Sequence, residues 1–83
     1  MTTPDSIKSA IASALTCDRV EVNGDGQHFD ALIVSSAFEG LSRVKRHQLV
    51  YGALGERMRE EIHALSMTTV TPAEWSAKQG IDG

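Results

Sequence analysis

The stretch RVEVNGDGQHFDALIV, from Arg19 to Val34, constrains this chain most. Val20 and Val22 alternate with Glu21 and Asn23, and Phe29 to Val34 is rich in strand formers around Asp30. Between them, Asn23-Gly24-Asp25-Gly26 supplies residues that tolerate positive φ. The pattern predicts two antiparallel strands joined by a tight turn, with His28 at the mouth of the hairpin.

Helical periods flank this β segment. Thr3 reads as an N-cap and Pro4 as the first helical residue, and Ile7, Ile11 and Leu15 then form one apolar stripe, which predicts a helix over Pro4 to Leu15. After Phe38-Glu39-Gly40, the run SRVKRHQLVYGALGERMREEI spaces His47, Val50, Tyr51, Leu54, Met58 and Ile62 three or four apart. This is the main amphipathic helix, and Gly52 and Gly55 predict a kink or short break inside it. HALSMTTV returns to alternation and predicts a third strand starting at His63. Thr71, Pro72 and Glu74 then spell a capping box for a short last helix, which Trp75 packs back onto the domain. The order helix, strand, strand, helix, strand, helix predicts an α+β sandwich of two layers.

Eighty-three residues with 41% hydrophobic content suit one small domain over residues 1–83, with a folded part of about 3–78. A chain of this size buries only roughly 60% of its unfolded surface, which leaves little room for a deep active-site cavity. No enzyme is expected, and no G-x-S-x-G or other nucleophile pattern is present. The apolar runs fall short of the ~20 residues that span a bilayer, and MTTPDSIK lacks the features of a signal peptide. With one cysteine, Cys17, no internal disulfide forms, and a cytosol-like setting is expected.

Metal chemistry has four candidates: His28, His47, His63 and Cys17. Their spacing matches no zinc motif, so self-sufficient zinc binding is not expected. A 2Fe-2S cluster needs four ligands, and two histidines can replace two thiolates on one iron. If the sheet brings His28 and His63 to one edge, they supply half a coordination sphere and a partner must supply the rest. His47 lies on the helix stripe and reads as packing against the sheet. Cys17 reads as a small hydrophobe or a semi-exposed thiol.

Charge offers a second direction. The net charge is -3, yet Arg43, Lys45, Arg46, Arg57 and Arg59 cluster in a segment whose only acid is Glu56. Such polarisation suits an acidic partner surface or phosphates. Gly52-Ala53-Leu54-Gly55 fits the GXXG pattern of KH-like domains, but its middle residues are apolar, and helix packing explains it better.

Taken together, three motifs resemble the BolA family: FEGLSRVKRHQLVY at Phe38 to Tyr51, HAL at His63 to Leu65, and TPAEW at Thr71 to Trp75. The resemblance runs from about Arg19 to Trp75, and His28 after the glycine turn is similar to the branch with histidine, not cysteine, in the loop between the first two strands. It implies a KH-like (class II) α+β two-layer sandwich with a three-stranded mixed sheet, no enzymatic activity, and a bacterial cytoplasmic protein that is monomeric alone. It also implies a monothiol glutaredoxin as partner, with His28 and His63 as ligands of a shared 2Fe-2S cluster whose other ligands are the glutaredoxin cysteine and glutathione. Family members are also linked to DNA binding and stress responses. For that role Arg43, Lys45, Arg46, Arg57 and Arg59 are the phosphate-facing candidates, and the same basic surface is expected to dock the glutaredoxin.

Overall fold

A computed structural model describes residues 2–25, 27–62 and 64–79 and, of residues 57–59 and 79, the backbone alone. Helix α1 spans Pro4–Ala14. Thr3 Oγ1 accepts the Ser6 N–H at 3.1 Å while Ser6 Oγ accepts the Thr3 N–H at 2.9 Å, so the cap is reciprocal. Ile7 and Ile11 are fully buried. The helix stops one residue earlier than its apolar stripe predicts, because Leu15 turns to an extended backbone while its N–H still bonds Ile11 O. Its side chain continues to pack against the core.

Strands β1, Cys17–Gly24, and β2, His28–Ser35, pair antiparallel, with Val20 opposite Ile33 and Gly24 opposite Phe29. Asn23 and Gly24 therefore belong to the strand, not to the turn that their composition predicts. Gly24 is needed for contact: a Cβ there would lie 2.4 Å from Phe29 Cδ1 and 2.8 Å from His28 O. The aromatic ring uses the space of the missing side chain.

A short 3-10 turn, Ser36–Phe38, leads to α2, Arg43–Glu61, then β3, Ala64–Val70, and α3, Pro72–Gln79. The sheet order is β1-β2-β3, and β3 runs parallel to β2, a pairing that needs the crossover α2 provides. The mixed sheet agrees with the expected architecture. β3 begins at Ala64, one residue later than predicted; His63 lies outside the described residues.

Alternation gives the sheet two different faces. Phe29, Ala31 and Ile33 are buried against Ile7, Ile11, Val50 and Leu54, and Leu65 and Met67 flank that core. On the other face His28, Asp30, Ala64, Ser66 and Thr68 are exposed, whereas Val34 and Val70 are buried at the end where α3 packs on β2 and β3. Helix α2 breaks at Gly55, whose φ of 81° suits a residue without a Cβ. Leu54 of the GALG stretch is in the core as expected, but a Cβ on Gly52 would meet nothing, so that glycine serves no close packing.

Candidate functional site

Two groups of residues stand at opposite ends of β3. At its start, the parallel register sets His28 opposite Ala64, the residue that follows His63 in the chain. The His28 side chain is exposed, and its Nε2 lies 3.2 Å from Ser66 Oγ on the same face of the sheet. Its backbone is fixed by Asp25: one carboxylate oxygen accepts the N–H groups of His28 at 2.9 Å and of Gln27 at 3.0 Å. The Asp25 N–H in turn donates to His28 O at 3.2 Å. These bonds hold the Asp25 carboxyl below the usual carboxylate range, the His28 N–H contributing most. The imidazole thus sits on a hydrogen-bonded backbone, with Ser66 as its one side-chain partner among the described residues.

His63 and Gly26 lie outside the described residues. Cys17 is far from this end, opposite Ser35 where the hairpin strands open. It is half-buried, and burial, then the neighbouring Asp18 charge, pushes its thiol up, which disfavours the thiolate a metal needs. Among the described residues no three His, Cys, Asp or Glu side chains gather as a metal site. One imidazole nitrogen fits a shared coordination sphere and cannot close one.

At the other end Arg46 is the hub. Its guanidinium bonds Glu74 through Nη1 at 2.7 Å and Nη2 at 3.2 Å, Thr69 O through Nη1 at 3.0 Å, and Leu41 O through Nε at 3.0 Å. It also lies 5.9 Å from the centre of the Phe38 ring. With its side chain only 13% exposed, Arg46 clamps α2, β3 and α3 together and is not displayed to a partner. Glu74 serves the expected capping box as well: Oε1 accepts the Thr71 N–H at 2.9 Å and the Glu74 N–H donates to Thr71 Oγ1 at 3.1 Å. The Arg46 guanidinium, more than the Thr71 N–H, holds the Glu74 carboxyl down at about 2.

The remaining predicted cations separate. Arg43 and Lys45 are exposed at the start of α2 beside Val44, itself 64% exposed, while the side chains of Arg57 and Arg59 lie outside the described residues. Arg43, His47 and Lys78 line a cavity of about 280 Å³ with Met67 and Thr69 at the end of β3. His47 is half-buried there, next to the sheet as its stripe position predicts. Lys78 was not legible as a site residue, because only the packing of α3 brings it beside α2. Asp25 and Ser66 were also missed; the signal for Asp25 is its place in an Asp-Gly turn, where a short carboxylate bonds the backbone two or three residues on.

Residues 4–74 match the BolA-like protein family. The chain belongs to the BolA family. It is 42% identical to the acid stress protein IbaG of Escherichia coli K12 over 80 residues, which cover 95% of both chains, consistent with the histidine-loop branch. The structure of a BolA homologue from Coxiella burnetii superposes with a TM-score of 0.79 at 45% identity, covering 92% of this chain and 99% of that one. A DNA-binding transcriptional regulator BolA from Haemophilus influenzae is 42% identical over 55 residues, 66% of this chain and 53% of the regulator. These likenesses are to BolA-fold stress proteins and regulators. No helix among the described residues is long and apolar enough to cross a membrane.

Proposed function

We propose that this BolA-family chain is a non-enzymatic adaptor that pairs with a monothiol glutaredoxin and co-ligates a glutathione-bound 2Fe-2S cluster, in cluster trafficking or iron and redox sensing. The observation that carries this reading is the exposed His28 imidazole on a backbone locked by Asp25, opposite the residue that follows His63. Breaking one contact to Ser66 frees its Nε2 for a metal. The shared cluster supplies electron or iron-sulfur transfer; this chain contributes the imidazoles of His28 and His63, and the partner contributes two thiolates. Asp25 acts through the backbone, fixing the strand that would present the first imidazole.

The test is visible circular dichroism of the chain mixed with a monothiol glutaredoxin, glutathione, iron and sulfide. A spectrum distinct from that of the glutaredoxin alone is expected, lost in His63→Ala and weakened in His28→Ala. An unchanged spectrum for the wild-type chain, with no complex on gel filtration, removes the basis of the reading.

A second reading is DNA binding, favoured by the exposure of Arg43 and Lys45 and by the likeness to the Haemophilus regulator. Reversing Arg46 tests neither role, since it dismantles a structural clamp. Arg43→Glu with Lys45→Glu is the informative variant: a DNA mobility shift that falls steeply with salt and disappears in this variant supports the regulator.

A further inference from the structure

The two edge strands of the sheet are treated differently by the sequence. β1 carries Asp18, Arg19 and Glu21 and a register irregularity between Cys17 and Arg19, features that discourage pairing with another chain. β3, ALSMTTV, has no charged residue and no proline. Its outward row of backbone groups is inferred from two contacts outside the β2–β3 ladder: Thr69 O accepts from Arg46, and the Thr71 N–H donates to Glu74, which places this row on the side away from β2. Alternation places the N–H and C=O of Leu65 and Met67 on that same side, together with the N–H of Thr69. The described residues give Leu65 and Met67 no hydrogen-bond partner beyond the sheet.

This open edge leads into the cavity lined by Arg43, His47 and Lys78. Arg46 is neutralised there by Glu74, so Arg43 and Lys78, both exposed and outside any ion pair among the described residues, give the cavity its positive character. Its volume of about 280 Å³ is below the ordinary range for drug-sized ligands and suits a carboxylate side chain.

We infer that the β3 edge is a docking site for an extended acidic segment of a partner protein, which adds as a fourth strand along Leu65–Thr69 and places a carboxylate in the cavity between Arg43 and Lys78. Main-chain hydrogen bonds supply the pairing and the two cations select acidic over basic segments. A second copy of this chain fits less well, because each carries a net charge of -3 and would bring the same cations to the shared edge. The carboxylate cavity lies at the opposite end of β3 from His28.

The test is a titration of the isotope-labelled full chain with a capped peptide of about seven residues, long enough to span β3, that alternates valine and glutamate. The amides of Leu65, Met67 and Thr69 are expected to shift and to exchange more slowly with solvent. Affinity should fall with salt, and by about tenfold or more in the Arg43→Glu, Lys78→Glu double variant, equivalent to roughly 1.4 kcal/mol. Two control peptides, one with lysine for glutamate and one with a central proline, should bind much more weakly. Equal binding of the proline peptide, or shifts that spare the three strand amides, overturns the strand-addition model. A DNA duplex that displaces the peptide from the same residues at lower concentration assigns the surface to nucleic acid, and dimerisation that protects these amides without peptide assigns it to a second copy. Either of these results also overturns the proposal.

Discussion

The two ends of the β2–β3 ladder are each organised around a carboxylate held below its usual range, but by different partners. At the His28 end, Asp25 is held by backbone N–H groups, which fix the path of the hairpin and leave the imidazole exposed. At the Val70 end, Glu74 is held by the Arg46 guanidinium, whose other hydrogens reach Thr69 and Leu41. A carboxylate that bonds its own turn orders one loop. A carboxylate that bonds a distant arginine orders three elements, and it removes a cation from the surface.

The largest way to break this contrast is to strain the hairpin end through its close contact. Gly24→Val places a branched side chain where Phe29 and the His28 carbonyl already lie, and should cost about 2–3 kcal/mol in urea unfolding. The His28 and Gln27 amide resonances should move with it. An unfolding midpoint equal to that of the wild type would show that the ring can vacate this space freely.

A smaller loss, roughly 1–2 kcal/mol, is expected for Arg46→Met, which keeps the aliphatic stem and removes the four donated bonds. This variant also sharpens the comparison through pH. The folded-state value of Glu74, about 2, is below its ordinary 4.5, so its contribution is complete above the ordinary value and is lost as pH falls from 4.5 towards 2. The stability difference between wild type and Arg46→Met should therefore shrink across that window. A difference that stays constant in chemical denaturation from pH 6 to pH 2 would remove Glu74 from the account. The smallest effect is expected for His28→Ala: under about 0.5 kcal/mol on stability, because the side chain is exposed with one hydrogen-bond contact among the described residues. A large loss there would make His28 a structural residue and weaken the case for ligation.

Much of this architecture was legible in the sequence because its signals are local. Thr3 with Pro4, and Thr71 with Pro72 and Glu74, mark helix starts within one turn of chain, and both caps form. Gly55 breaks α2 inside the window that its helix propensity predicts. The candidate site was less legible. His28 was readable as a residue at a hairpin mouth, but its register opposite Ala64 was not, and Arg46 read as one more surface cation. No periodicity distinguishes Arg46 from Arg43 and Lys45, since which of the three turns inward depends on α3 folding back to offer Glu74.

The sequence by itself therefore determined the order of elements, the caps and the hairpin, all of which depend on residues within a few positions of one another. Tertiary structure alone decided that β3 runs parallel beside β2, that Arg46 is a clamp, and that Lys78 meets Arg43 across a cavity. Each of these joins residues more than 20 positions apart, and only the burial of apolar faces between layers sets such distances.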